Sequence, residues 1–334
     1  MMRAIVLNGH GGVEFDEVPE PRPGPGDVVI APEAVGICGT DLHLVRGTYA
    51  TGRYPVVPGH EFAGTVTDVG TGVCGISVGD LVGVDPNVNC GVCRWCRAEA
   101  PNLCVRLEPV GVTRNGACAE RVVVPRQVTY QLPTHVDAPV GALVEPLACV
   151  LHALDRAPSI KDKDILVYGA GSIGLLMCIV AKQRGAGRIS VVEPHAVRRA
   201  AALELGAHVA AASSAGLSIE DGADIVVEAS GHPAAVSDAL TRIAVRGTLV
   251  QMGVTGPATA VPLHPFEVFE KELTVLGSNS LADCYPAAVE VVPDLADRIR
   301  PLITHTLPLA SYPDALAVAA SPEALKVHID PRCH

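Results

Sequence analysis

Four cysteines, Cys90, Cys93, Cys96 and Cys104, stand in the spacing C-x2-C-x2-C-x7-C. Thiolates this close can surround one tetrahedral Zn(II) without help from elsewhere, the closed arrangement of a structural zinc site. A zinc ribbon that grips nucleic acid uses similar spacing, but only Arg94, Arg97 and Arg106 accompany these cysteines, so a metal-locked loop is the better reading. A second set is dispersed: Cys38 in Gly36-Ile37-Cys38-Gly39-Thr40-Asp41-Leu42-His43, then Gly59-His60-Glu61, then Glu145-Pro146. Thiolate, imidazole and carboxylate form a normal catalytic zinc set with one position left for water or substrate. Each also has an ordinary explanation: a small buried thiol, a turn histidine, a surface charge, a helix-start acid. Spacing alone does not unite them.

The third constellation is Tyr168-Gly169-Ala170-Gly171-Ser172-Ile173-Gly174, a G-x-G-x-x-G that follows an apolar run and opens an Ala/Leu-rich helix. In that context Gly169 permits a tight turn, Gly171 lets the backbone approach a pyrophosphate, and Gly174 lets helix and strand pack closely. Ser172 and Ile173 open the helix, whose unpaired N–H groups attract phosphate. Glu193 ends the next apolar run and is placed to accept hydrogen bonds from both ribose hydroxyls, which favours NAD over NADP. The other explanation of Glu193 is a solvated charge at a strand end. Arg198 and Arg199 follow, where either could flank the adenine or accept a 2′-phosphate.

These residues need a scaffold, and the composition limits which. The chain has 334 residues, enough for two or three domains, with 49% hydrophobic and 18% charged residues. Lys plus Arg number 25 against 36 Asp plus Glu, a formal charge of −11 that argues against phosphate backbones and anionic membranes as partners. Small molecules are the expected partners. Aromatic residues are only 3%, so Ala, Val, Leu and Ile must build the core, as suits α/β layers. Eleven cysteines in so long a chain do not read as a secreted disulfide framework. The N-terminus lacks the apolar stretch of a signal peptide and reads as the first strand of a cytoplasmic protein. The longest apolar run, Ile165 to Ala181, carries glycines at 169, 171 and 174 and reads as a buried strand, turn and helix.

Up to about residue 135, β-branched runs at Asp27 to Ala31, Gly64 to Val69, Asp80 to Val84 and Ala119 to Val124 are separated by Gly and Pro, predicting an irregular, mainly antiparallel barrel. From Asp164 the texture becomes alternating strand and helix: Ile165 to Tyr168, Ser172 to Arg184, Ile189 to Val192, Ala196 to Leu205, Ile225 to Glu228, Ala234 to Ala244, Thr248 to Met252. That alternation predicts a doubly wound parallel sheet. From about Ser278 the character is mixed again, and this segment could close back on the first domain.

Taken together the residues resemble the zinc-containing medium-chain alcohol dehydrogenases, particularly the sorbitol, polyol and threonine dehydrogenase branch. The most specific match is Gly59-His60-Glu61-Phe62-Ala63-Gly64-Thr65-Val66, continuing through Val69-Gly70 and Val73 to Gly79-Asp80; Gly141-Ala142-Leu143-Val144-Glu145-Pro146-Leu147 points to the polyol branch. The resemblance implies a GroES-like catalytic domain from residues 1–148 and 278–334 and a Rossmann NAD-binding domain from 149–277, with the active site in the cleft. It implies two Zn(II) per chain, one structural and one catalytic, the latter bound by Cys38 and His60 with Glu61 and Glu145 as direct or water-mediated ligands. Thr40 would take the substrate proton and His43 pass it to solvent. The expected reaction is NAD-dependent oxidation of a secondary alcohol in a polyol, sugar alcohol, cyclitol or related compound, reversible to the ketone, in a homodimer or homotetramer.

Threonine or a simple alcohol is the alternative substrate, and a non-catalytic nucleotide-binding protein the remoter one. A zinc-independent reductase of the same superfamily would generally lack the cysteine loop. Arg121 departs from the family, which usually has an aromatic residue there. Loops Arg46 to Tyr54, Glu108 to Thr113 and Ser278 to Cys284 are expected to shape the substrate pocket.

Overall fold

A computed structural model describes residues 1–49 and 52–333; Ala50 and Thr51, in the first of the expected pocket loops, lie outside the described residues. The chain opens with β1 (Met2–Leu7), β2 (Val13–Val18), β3 (Asp27–Gly36), α1 (Gly39–Val45), β4 (Glu61–Val69) and β5 (Leu81–Val84). Around the cysteine loop come the short β6 (Asn87–Val88), α2 (Arg94–Arg97) and β7 (Glu108–Pro109), followed by β8 (Val122–Pro125), β9 (Thr129–Gln131), α3 (Ala138–Gly141) and α4 (Val144–Arg156). The alternating region is β10 (Ile165–Tyr168), α5 (Ser172–Gln183), β11 (Ile189–Val192), α6 (Ala196–Leu205), β12 (Val209–Ala211), β13 (Ala223–Glu228), α7 (Pro233–Thr241), β14 (Ile243–Gln251), α8 (Pro265–Glu270) and β15 (Thr274–Gly277). The end carries α9 (Tyr285–Ile299), β16 (Ile303–Pro308), α10 (Tyr312–Ala319) and β17 (Lys326–Asp330).

Two compact units form: Met1–Glu145 with Ala282–His334, and Pro146–Leu281. In the first, β3 is the hub. It pairs antiparallel with β4, β8 and β17, so strands from both ends of the chain share one sheet. The register sets Gly36 at the end of β3 opposite both Glu61 and His328. Its core is largely aliphatic, with Ile5, Leu7, Ile30, Val35, Val66 and Ile329 buried in one cluster with Phe62. Ala119 makes only an isolated bridge to Ala4, and the expected strand there begins at Val122.

The second unit holds a parallel sheet in the order β12-β11-β10-β13-β14-β15. Strands β10 and β11 are buried at every position, which is why they read as uninterrupted apolar runs. The order turns around between β10 and β13, the switch point at which such sheets leave a crevice. The expected helix running to Ala244 instead stops at Thr241, because Ile243 already pairs with Ala223. The chain then bulges, with Arg246 at φ +59°, and continuous pairing resumes at Thr248.

Candidate zinc and dinucleotide sites

Cys38 is the N-cap of α1, directly after β3, and His60 and Glu61 stand where β4 begins. Because Gly36 faces Glu61 across the sheet, the two chain segments meet, and donor atoms of Cys38, His60 and Glu61 lie within 4.8 Å of one another. A Cβ on Gly36 would collide with Oε2 of Glu61 and crowd Lys326, so a side chain there would displace that buried pair. Glu145, in the first turn of α4, is also buried but does not join that set of mutually close donors. Thr40 is the second residue of α1 and His43 lies in its last turn, with His43 Nδ1 3.1 Å from Thr48 Oγ1.

Three further residues complete this arrangement: Asp41 and Lys326, to which sequence reasoning gave no role, and Tyr49, in the loop Arg46 to Tyr54 expected to shape the substrate pocket. Asp41 is buried; one carboxylate oxygen accepts the Cys38 N–H at 2.8 Å and the other lies 3.8 Å from His60 Nδ1. At 3.8 Å this is a contact between charges and not a hydrogen bond; a carboxylate that closes on a ligand imidazole fixes its orientation and raises its basicity. Lys326 forms a buried ion pair with Glu61, and burial, aided by the charges of Cys38 and Glu145, raises the Tyr49 hydroxyl above its ordinary value. Asp41 could have been noticed as a capping acid three residues after Cys38, whereas nothing local marks Lys326.

The electrostatics favour a cation. Burial and the neighbouring Glu61 push Glu145 up to about 7, and burial raises Asp41 despite opposition from His60. Burial alone would lower His60, but Asp41 and Cys38 outweigh it and hold the imidazole proton well above the ordinary value. Burial also opposes ionisation of Glu61, yet Lys326 and His60 pull it below the usual carboxylate range. Several buried acids and a thiol thus share one resident ammonium. A divalent ion among Cys38, His60 and Glu61 suits both their ligand chemistry and this excess of negative groups.

His328, paired with Gly36, has neither ring nitrogen hydrogen-bonded among the described residues, and burial and Lys326 press it from its ordinary 6.5 to about 3. A histidine kept neutral in the fold but free to protonate when unfolded costs stability as pH falls from about 6.5 to about 3. His328→Gln should flatten that acid limb by on the order of a few kcal/mol across the window, seen as urea midpoints at several pH values. Equal slopes for parent and variant would contradict it.

At the cysteine loop, all four sulfurs lie within 4.8 Å of one another, with Cys93–Cys96 at 3.5 Å and Cys90–Cys96 at 3.9 Å. Tetrahedral Zn–S bonds of about 2.3 Å would put sulfurs about 3.8 Å apart, so the set fits a Zn(II) as it stands. A backbone N–H from Val92 brings Cys90 down to about 5, and one from Cys96 brings Cys93 to about 7, both favouring thiolate.

In the second unit Gly169 turns at φ +91° and a Cβ on Gly171 would meet open space, a cradle at the N-cap of α5 where Ser172 and Ile173 begin the helix. Gly174 packs on the Gly169 carbonyl. Glu193 is buried and faces this turn, accepting the Ala170 and His195 N–H groups at 2.9 Å each. Its remaining lone pairs still suit ribose hydroxyls. Arg199 donates to the Glu193 and Pro194 carbonyls, while Arg198 is half-exposed on α6. Arg121, at the departure from the family pattern, pairs with Glu20 on the surface.

Comparison with known proteins identifies relatives along the whole chain. Residues 24–134 match the alcohol dehydrogenase GroES-like domain and residues 172–294 the zinc-binding dehydrogenase family. The chain is 34% identical to D-altritol 5-dehydrogenase of Agrobacterium fabrum, covering 98% of both proteins. It is 34% identical to L-threonine 3-dehydrogenase of Saccharopolyspora erythraea, covering 98% of this chain and 99% of the relative. A crystal structure from Sinorhizobium meliloti 1021, described as a zinc-binding dehydrogenase bound to NADP, superposes with a TM-score of 0.95 at 34% identity over 99% of each chain. The chain belongs to the zinc-containing medium-chain alcohol dehydrogenases, in the branch of polyol and threonine dehydrogenases.

Proposed function

We propose that this protein oxidises a secondary alcohol of a polyol to the ketone with NAD as acceptor, using two zinc ions per chain, one catalytic and one structural. The observation that carries the reading is the convergence of Cys38, His60 and Glu61 within 4.8 Å, with Asp41 behind His60. When bound, zinc and nicotinamide supply a Lewis acid that eases ionisation of a hydroxyl and an acceptor for hydride. Cys38, His60 and Glu61 hold the metal, Glu145 stands ready as a further or water-mediated partner, and Asp41 orients His60. Thr40 relays the substrate proton, its hydroxyl oxygen accepting that proton as it releases its own hydrogen, so that the hydroxyl stays neutral. His43 carries it onward at Nε2, since Nδ1 is engaged by Thr48. Cys90, Cys93, Cys96 and Cys104 hold the structural ion.

The dinucleotide is held by Gly169, Gly171, Ser172, Ile173 and Gly174 at its pyrophosphate and by Glu193 at the adenosine ribose, with Arg198 beside the adenine. Glu193 supports NAD, because a buried carboxylate would repel a 2′-phosphate; the bound NADP of the Sinorhizobium meliloti relative marks the alternative. None of the eleven cysteines forms a disulfide among the described residues, which supports a reducing cytoplasm. The exposed Val275 on β15, at the edge of the sheet, supports a homodimer or homotetramer. The similarity to threonine dehydrogenase keeps threonine as the second reading.

The test is NADH formation across polyols, cyclitols, hydroxy amino acids and alkanols, with zinc counted in the same preparation. A polyol should give the highest kcat/KM; threonine leading would favour the second reading, and no turnover by fully zinc-loaded protein would overturn both. Glu193→Ala should weaken NAD and shift preference toward NADP by about tenfold or more, the loss of hydrogen bonds to a charged group. An unchanged NAD/NADP ratio would mean that the ribose is read elsewhere.

A further inference from the structure

Glu228 ends β13 beside the switch point, and its side chain is fully buried. No cation is paired with it among the described residues; its partners are neutral donors. Oε1 accepts the Ser230 N–H at 2.8 Å and the Ser230 hydroxyl, both oxygens accept the Gly231 N–H at 3.1 Å, and Oε2 accepts Gln251 Nε2 at 2.8 Å. Gln251 also donates to the Gly253 carbonyl at 2.8 Å. One carboxylate therefore ties the loop after β13 to the loop after β14. The crossing is too tight for side chains: a Cβ on Gly231 would strike the Val254 carbonyl, and one on Gly253 would strike the Gly231 N–H and Glu228 itself.

The location gives this knot a purpose. Ser230 packs on Gly169, since a Cβ there would lie 3.1 Å from the Ser230 side chain. The tied loops thus flank the glycine-rich turn on the side opposite Glu193: β11, which leads to Glu193, neighbours β10 on one side, and β13 neighbours it on the other. A dinucleotide with its pyrophosphate at Gly171 and its adenosine ribose at Glu193 must extend its other half over β13 and β14. We propose that Glu228 is a positioning residue for the nicotinamide ring of the dinucleotide, holding the 229–232 and 252–254 backbone in one arrangement beside the glycine-rich turn. The inference rests on the dinucleotide reading above.

Glu228→Gln keeps the shape but sets an amide NH2 against N–H donors, so one side of the knot must open. NADH should bind about tenfold more weakly or worse, as loss of a charge-assisted hydrogen bond implies, while ADP-ribose, which lacks the nicotinamide, stays within about twofold. Gln251→Met, a milder change that removes one donor, should shift NADH affinity in the same direction and leave ADP-ribose alone; it decides the matter if Glu228→Gln does not fold. Calorimetric titration of both ligands reads the result. NADH and ADP-ribose weakening together would make Glu228 merely structural, and unchanged NADH affinity would overturn the proposal. Failure of the unsubstituted protein to bind either ligand would instead remove the dinucleotide reading, and this inference with it.

Discussion

Cys38→Ser and His60→Ala should each lower polyol turnover by about a thousandfold or more, equivalent to about 4 kcal/mol of lost transition-state stabilisation. The fold should survive, because neither residue anchors the aliphatic cluster that contains Phe62, and the second unit should still bind NADH. Zinc should fall from two ions per chain to one, the remaining ion being held by Cys90, Cys93, Cys96 and Cys104. Asp41→Asn makes the series graded: it spares the ligands but weakens the acceptor behind His60, so activity or metal affinity should drop by about 10- to 100-fold. Metal content and kcat measured together distinguish ligand loss from misfolding. Near-normal turnover by either ligand variant would remove Cys38 and His60 from the chemistry.

The next largest effect is expected at Lys326. Its ammonium and the Glu61 carboxylate are both almost wholly buried, and removing one partner strands the other. Lys326→Met should cost about 3–5 kcal/mol of stability, the typical penalty for an uncompensated buried charge. The double variant Lys326→Met with Glu61→Gln should recover a large part of that loss, since no unpaired charge then remains. Denaturant unfolding of protein depleted of metal at the Cys38–His60–Glu61 site, where no ion can stand in for the Lys326 ammonium, reads both changes. A single-variant loss below about 1 kcal/mol would show that Glu61 finds another partner, and the account of how the sheet register gathers this site would need revision.

Much of the dinucleotide unit was legible in the chain because its signals are local. Ile165–Tyr168, Ile189–Val192 and Ala196–Leu205 have the bounds that their apolar runs predict, and the parallel sheet follows from their alternation. The error at Ala234 to Ala244 has a physical cause: Ile243 pairs with Ala223 ahead of a bulge, and pairing across a sheet leaves no periodicity in one strand. Helix α9 was not anticipated, and it carries Pro293 in its interior, which argues against a helix when read locally.

The metal-ligand candidates were visible as residue types, whereas their supports were not. Asp41 looks like an ordinary helix-start acid until His60 is seen beside it. Lys326 reaches Glu61, and His328 comes to lie opposite Gly36, only because β17 and β4 both pair with β3, an adjacency that no window of sequence contains. Glu228 is similar: a strand-end acid in the sequence, and in the fold the acceptor for two loops.

The central claim is that Cys38, His60 and a neighbouring carboxylate hold a metal ion distinct from the one in the cysteine loop. Anomalous diffraction at the zinc edge, from crystals of active protein, addresses it directly. The account predicts two peaks per chain, one among Cys90, Cys93, Cys96 and Cys104 and one bounded by Cys38 and His60 with Glu61 or Glu145. A single peak at the cysteine loop, in protein that still oxidises its alcohol at full rate, would contradict it.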